Sequence, residues 1–291
     1  MRIAFIGLGR VATALARGFE RAGFRISPCY DVDPEKIEAW RGLDFPAAEI
    51  FEQVVNGADV IFVTTTDDAI GSVAERIRRM PKASGLKAVF HTSGAVPTTA
   101  LAVLADLEVE YASVHPVMTF SGEIGDVDRL NSCEFCIEAG TEAGVELASR
   151  LFERLGGEIV MLTGEAKVPH HLACVLASNF TILLMDKARR VHEKAGVGTD
   201  ASLTMLGRLA RASIANSESL GPAAALTGPS VRGDVETIIN HVRWLQANMP
   251  ELLDIYVTLS RRTIELALRA DRISQDQADG LKRVLSEADE D

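Results

Sequence analysis

The segment "HHLACVLASNF", His170–Phe180, places two imidazoles, a thiol, a hydroxyl and a carboxamide inside a long uncharged run of the chain, residues 168–185. Imidazole exchanges protons near neutral pH, so a histidine beside hydrogen-bonding side chains suits general acid–base chemistry. At about 100° per residue, a helix puts His171, Val175, Ser178 and Ile182 on one stripe, with Asn179 at its edge and His170 turned away. Burying three polar groups on neighbouring turns costs stability unless they are used. His171, Ser178 and Asn179 are therefore the first candidate catalytic residues, and His170 reads as a core histidine. His115, in "SVHPVMTF", is the rival acid–base group. In "LTGPSVRGD", Arg232 suits a bidentate grip on a substrate carboxylate, and Asp234 can orient it or cap the helix that follows.

A second constellation lies at the N-terminus. In "IAFIGLGRVATALA" the residues Gly7, Leu8, Gly9, Arg10, Val11 and Ala12 spell G-x-G-x-x-A between an apolar run and an amphipathic one. The first glycine permits a tight turn, the second lets the backbone approach a pyrophosphate, and the small third residue lets helix pack on strand. The free N–H groups and dipole of the helix N-terminus then favour the phosphates. Asp31, nineteen residues after Ala12, stands where an acidic side chain accepts hydrogen bonds from the adenosine ribose, while Asp33 is the better candidate to cap the next helix. Asp31, Asp33 and Glu35 would repel a 2′-phosphate, which favours NAD, with NADP possible.

These groups need elements to hold them. From residue 1 to 163, the strand candidates "RIAFIG", "RISPCY", "DVIFVTT", "KAVFHT", "VEYASVH", "CEFCIEA" and "EIVML" alternate with helical stretches such as "VATALARGFERAG", which Gly23 ends. This predicts an α/β fold, a Rossmann-type doubly wound, mostly parallel sheet, followed over 164–291 by an all-α domain. Ligands of such sheets bind beyond the carboxyl ends of the strands. There Thr64, Thr65, Thr66, Thr92 and Ser93 could flank a nicotinamide ribose, with His115 near the reacting end. In the helical part, Asp200 is placed to cap one helix, "GPAAALTGPSVRGD" reads as a fourteen-residue loop, and the final "SEADED" as a solvated tail.

Composition excludes several functions. With 291 residues, 47% of them hydrophobic, the chain can build one large or two ordinary cores. A net charge of -11 argues against a nucleic-acid partner, which needs clustered Lys and Arg. The 168–185 run is just long enough to span a bilayer, but His170, His171, Ser178, Asn179 and Thr181 within it and the charges flanking it argue for a soluble helix, hence no membrane partner. Four cysteines without a secretion signal suit a cytoplasmic setting. Cys133 and Cys136, three apart on a strand, point to opposite faces, and no second Cys/His pair completes a zinc site, so no metal is expected. A methyltransferase shares the glycine turn and acidic strand tip, but the all-helical second half speaks against it.

Over nearly its full length the chain resembles the two-domain proteins that join a Rossmann-like domain to a helical domain of unknown function and are regarded as NAD(P)-dependent oxidoreductases. The matching pieces are "GLGRVATALA", "FHTSGAVP", "SVHPVMTF", "HHLACVLASNF" and "LTGPSVRGD". More distantly it is similar to ketopantoate reductase, pyrroline-5-carboxylate reductase, prephenate dehydrogenase and hydroxyisobutyrate dehydrogenase, and "HPVM" is similar to the prephenate dehydrogenase "HPM" turn. The resemblance implies a nicotinamide cofactor and a homodimer built through the helical domain. Several distant relatives place a catalytic Lys and an Asn four residues apart on the first helix of the second domain. Here His171 and Asn179 stand eight apart, with Lys167 just before Pro169.

The expectation is hydride transfer between NAD(H) and a small carboxylate-bearing carbonyl, alcohol or imine, with ketopantoate-reductase-like chemistry among the possibilities. The competing classes are a non-catalytic dinucleotide sensor and a cofactor-to-cofactor reductase of the deazaflavin-dependent NADP type.

Overall fold

Among the described residues seven strands form one sheet: β1 (Arg2–Ile6), β2 (Arg25–Ile26), β3 (Val60–Val63), β4 (Ala88–His91), β5 (Glu110–Pro116), β6 (Glu134–Ala139) and β7 (Glu158–Leu162). Their order is β2-β1-β3-β4-β5-β6-β7, parallel except where β6 meets β5. The computed structural model describes residues 1–80 and 85–290. It divides into two compact units, Met1–Ser178 and Asn179–Asp291.

The middle strands follow from their sequences. Ile3, Ala4 and Phe5, Val60, Ile61 and Phe62, and Ala88, Val89 and Phe90 are all inaccessible to solvent. Unbroken apolar runs of this kind suit parallel strands covered on both faces. The covering helices include α1 (Arg10–Arg21), α2 (Pro34–Arg41), α3 (Phe51–Gly57), α4 (Ile70–Arg78), a short α5 (Gly125–Arg129) and α6 (Glu142–Glu153). The Phe62 ring packs against those of Phe5, Phe19, Phe90 and Phe152 at 5.3–5.7 Å, tying strands β1, β3 and β4 to helices α1 and α6.

"RISPCY" is shorter as a strand than its sequence suggests. Pro28 has no N–H to give, so β2 stops at Ile26, and the edge rejoins β1 through Tyr30 N, which donates to the Phe5 carbonyl. That contact sets the next residue, Asp31, beside the end of β1. Because the chain leaves β1 for β2 on one side and reaches β3 on the other, a crevice opens beyond the carboxyl ends of β1 and β3.

After β7, helix α7 (Lys167–Cys174) runs through a π-turn (Val175–Asn179) into α8 (Phe180–Lys194). The second unit continues with α9 (Thr199–Leu220), α10 (Pro222–Ala225), α11 (Pro229–Arg232), α12 (Val235–Asn248), α13 (Leu253–Arg269) and α14 (Gln275–Glu290). Its core joins Ile238 and Val242, Val257 and Ile264, and Leu281 and Leu285.

Three expectations are corrected here. The segment 221–234 is two short helices, because Pro222 and Pro229 each start one at a first-turn position where the missing N–H is no loss. Asp200 lies inside the first turn of α9, with Gly198 at the cap. Residues 286–290 of the terminal acidic stretch continue α14, with Ala288 buried, and Asp291 lies outside the described residues.

Candidate active site

The glycine turn between β1 and α1 is built as its spacing predicts. Gly7 has φ +96° and lies so close to the Thr64–Thr65 backbone that a Cβ would sit 2.7 Å from it, so no other residue fits. Gly9 is different, since a Cβ there would meet nothing within 4 Å. Its bare backbone leaves open space before the N-terminus of α1, where no side chain caps the helix and no acidic residue occupies the first turn. Ala12 is buried at the helix–sheet contact. Thr64 holds the arrangement from β3, its hydroxyl donating to the Gly7 carbonyl at 2.7 Å.

Asp31 fixes the other side. Its Oδ2 accepts from Leu8 N at 2.7 Å and its Oδ1 from Asp33 N at 3.0 Å, while Asp33 caps α2 by accepting from Glu35 N. The carboxylate therefore braces the glycine turn. The resulting crevice, about 520 Å³, is lined by Gly7, Gly9, Asp31, Thr64, Thr65 and Thr66, and also by Tyr30, Lys36, Phe51 and Arg76. Lys36 Nζ lies 3.9 Å from Asp31 Oδ2, and the Arg76 guanidinium stacks 4.0 Å from the Phe51 ring centroid. An aromatic wall, two cations and a braced carboxylate could hold a nucleoside, its ribose and its phosphates. Among the described residues no atom stands within 4 Å of a Cβ placed on Gly9, which suits the close approach of a dinucleotide's pyrophosphate.

A second polar group stands at the tips of β4 and β5. Strand residues two apart share a face, as do directly paired residues of neighbouring strands. Ser113 and His115 of β5 therefore lie on one face with Glu138 and Cys136 of β6, their ladder partners. Helix α7 carries Lys167, His170, His171 and Cys174 at i, i+3, i+4 and i+7, one face of a helix. Lys167 Nζ donates to Ser113 Oγ and lies 3.9 Å from Glu138 Oε2. His115 Nδ1 is 3.1 Å from His170 Nε2, which is 3.8 Å from Cys174 Sγ. Gly94, from "HTSG", is the floor of this group: a Cβ there would lie 2.7 Å from His171 Cδ2 and 2.8 Å from His115 Nε2.

Burial sets the charges. His115 is pushed down to about 4 by desolvation, then by His170, Lys167 and His171, so its imidazole is neutral at neutral pH. His170 is lowered for the same kinds of reason. Desolvation lowers Lys167 to about 8, with Glu138 opposing the shift. His91, wholly buried at the end of β4, is lowered to about 3 by desolvation and Lys167. Its Nδ1 accepts from Ser93 N at 3.3 Å, and among the described residues its Nε2 makes no hydrogen bond of normal geometry, the Pro97 carbonyl only partly offsetting the shift.

The expected residues thus separate. Gly7, Gly9, Asp31 and Thr64–Thr66 share the crevice, whereas Leu8 gives its N–H to Asp31, Ala12 is core, and Arg10 and Val11 supply first-turn amides. Thr92 and Ser93 belong to the Gly94 turn, where the Ser93 hydroxyl accepts from Ala95 N and Val96 N. His170 is not turned away but bonded to His115, which corrects the wheel drawn through His171. The π-turn at Val175–Asn179 also takes Ser178 off that stripe, and Asn179 is exposed. In the helical unit Arg232 is largely exposed, 3.8 Å from Asp234, whose carboxylate caps α12 by accepting from Thr237 N. Lys36, Arg76, Tyr30 and Phe51 carry no motif, and the burial of Lys167 has no sequence signal beyond its place four residues before His171.

A glycine turn at a strand-order switch point, an acidic second-strand tip and a following helical domain define the class as a Rossmann-fold, NAD(P)-dependent oxidoreductase. Residues 2–86 match the family described as NADP oxidoreductase coenzyme F420-dependent, and residues 133–263 match a domain of unknown function, DUF2520. The two matches fall in the order of the two-domain arrangement, a nucleotide-binding module followed by the helical one. No curated protein matches it. Among solved structures it is similar to the proposed NADP oxidoreductase BF3122 from Bacteroides fragilis, with 27% identity, TM-score 0.74, and 91% of this chain and 98% of that one covered. It shares the fold of protein TM1727 from Thermotoga maritima, at 21% identity, TM-score 0.63 and coverage of 90% and 98%. It also shares the fold of a reductive aminase from Aspergillus terreus, crystallised with NADPH and ethyl levulinate, at 17% identity, TM-score 0.62 and coverage of 97% and 98%.

Proposed function

We propose that the protein transfers hydride between a nicotinamide dinucleotide and a small carbonyl, alcohol or imine. The observation that carries this reading is the crevice at the β1–β3 switch point, where Gly9 leaves the α1 N-terminus open and Asp31 braces the turn. The first-turn amides of α1 would take the pyrophosphate, and Asp31, Lys36 and Arg76 the adenosine end. When bound, the dinucleotide supplies or accepts the hydride.

The chain's own residues handle the proton. His171 is assigned the exchange with the substrate heteroatom, on the Gly94 floor that it shares with His115. His115, held neutral at physiological pH, serves as acceptor and positioning partner, not as the donor. A carboxylate on the substrate is assigned to Arg232 on chemical grounds, since its guanidinium is exposed and only loosely paired.

A homodimer is part of the same proposal. Phe180, Ile182, Leu183 and Leu184 of α8, and Leu203, Met205, Leu209 and Ile214 of α9, are exposed in the single chain. A stripe of this size calls for a covering partner. The helical run Gly164–Lys194 is long and apolar enough to cross a membrane by length and composition. Lys167, His170, His171, Asp186, Lys187 and Arg189 within it favour a second copy as the cover.

The test is a thermal-shift comparison of NADH and NADPH, followed by a screen for oxidation of both with 2-oxo acids, ketopantoate and cyclic imines. Stabilisation by a dinucleotide, together with turnover that falls at least a hundredfold in His171→Gln while cofactor affinity holds, is the expected result. Stabilisation without turnover on any of these substrates would favour the non-catalytic sensor. Turnover only when a deazaflavin is supplied would favour the cofactor-to-cofactor reductase, a partner named in the description of the family matching residues 2–86.

A further inference from the structure

We propose that His115, His170 and Cys174 form a binding site for one thiophilic divalent cation, zinc being the ion that fits best. Three elements of geometry carry this. His170 and Cys174 stand at i and i+4 on α7, so one helix face presents an imidazole and a thiol one turn apart. His115 comes from the tip of β5, directly beneath that face, with Nδ1 3.1 Å from His170 Nε2. The three ligand atoms all lie within 4.8 Å of one another, and Cys174 Sγ is 3.8 Å from His170 Nε2.

Those separations match the edges of a coordination tetrahedron. With Zn–N of about 2.0–2.1 Å and Zn–S of about 2.3 Å, neighbouring ligands stand about 3.3 Å apart for N···N and about 3.6 Å for N···S. The observed 3.1 and 3.8 Å lie within a few tenths of these values. The third edge, His115 to Cys174, is within 4.8 Å. Cys136 is the ladder partner of His115 on the same sheet face, and a water would complete the four ligands of an open site.

The surrounding charge permits a dication. Lys167 is the nearby cation, and Glu138, 3.9 Å away, offsets it. Coordination converts the Cys174 thiol to a thiolate, its proton passing to solvent while the Zn–S bond forms, with no change of oxidation state. An ion on these ligands would clamp α7 to β5 and raise the stability of the folded chain in proportion to its affinity. The site was not expected from the sequence, because His115 lies more than fifty residues before His170 and Cys174.

The test uses the full chain, stripped of metal by chelation and titrated with zinc alone and with cobalt alone. One zinc per chain bound with micromolar or tighter affinity is expected. So are a thiolate-to-cobalt charge-transfer band that disappears in Cys174→Ser, at least tenfold weaker zinc binding in His170→Gln, and a zinc-induced rise in melting temperature. Zinc should also protect Cys174 of the unmodified chain from alkylation, a readout independent of whether either variant folds. Absence of stoichiometric zinc, equal affinity in both variants, or alkylation of Cys174 at the same rate with and without zinc would overturn the proposal.

Discussion

The backbone N–H of Leu8 donates to Asp31 Oδ2 at 2.7 Å, so the acidic tip after β2 and the glycine turn after β1 are one mechanical unit. Asp31 is almost wholly buried and also accepts from Asp33 N. Hydrogen bonds to a charged acceptor contribute more than neutral ones, about 1.5–3 kcal/mol each. Asp31→Ala should therefore destabilise the protein by about 2–3 kcal/mol in urea unfolding and weaken dinucleotide binding at least tenfold. Asp31→Asn, which keeps one oxygen acceptor, should lose less of both.

The cations at the adenosine end lead to a separate expectation. Lys36 and Arg76 line the crevice, and both are partly exposed; among the described residues Lys36 pairs with Asp31 at 3.9 Å and Arg76 with Glu52 at 3.9 Å. Neither is consumed by a tight ion pair, so each can meet a 2′-phosphate. The Lys36→Ala/Arg76→Ala double variant should lose about tenfold more affinity for NADPH than for NADH, measured by fluorescence titration of each. Equal losses would assign these residues to the shared part of the cofactor.

Gly94 offers a way to move the imidazoles without removing them. Because a Cβ at that position would stand 2.7 Å from the His171 ring and 2.8 Å from His115 Nε2, Gly94→Ala must displace both. Its φ is not in the left-handed region, so the backbone itself tolerates alanine. The expected result is a kcat lowered by ten- to a hundredfold with unchanged cofactor affinity, since Gly94 is outside the crevice lining.

Much of this arrangement was legible before the coordinates. The G-x-G-x-x-A turn, Asp31 and Thr64–Thr66 share a crevice because their spacing reflects a local βαβ geometry that sequence records directly. Helix α7 is legible as a helix, but the face it packs on β5 is not the one the wheel selects. The wheel was centred on His171 and extended through Ser178, whereas the face that meets β5 runs Lys167, His170, His171, Cys174, and the π-turn breaks the register beyond it. Lys36 and Arg76 carry no sequence signal, because nothing local distinguishes a pocket cation from a surface one. Segment 221–234 read as a loop because its glycines and prolines outweighed the helix-starting positions those prolines occupy.

His91 gives the chain a measurable acid sensitivity. Burial and Lys167 hold its folded-state value down at about 3, below the ordinary 6.5. The unfolded chain therefore takes up a proton between those values that the folded chain refuses. The contribution is fully present above pH 6.5 and is lost as pH falls towards 3. His91→Asn keeps an acceptor for Ser93 N without titrating. Its stability should fall less steeply between pH 6 and 4, by about 1.4 kcal/mol per pH unit, in urea melts run across that range. His115, lowered to about 4, shifts in the same direction and leaves a residual slope in the variant.

The claim on which the functional account stands is that a dinucleotide's phosphates lie over the bare backbone of Gly9, and calorimetric titration of Gly9→Val with NADH and NADPH tests it most directly. Gly9 has an extended backbone and an open surround, so valine should leave the melting temperature within a degree or two while abolishing measurable binding of both dinucleotides. Binding of either one to Gly9→Val with the affinity of the unmodified chain would contradict the account.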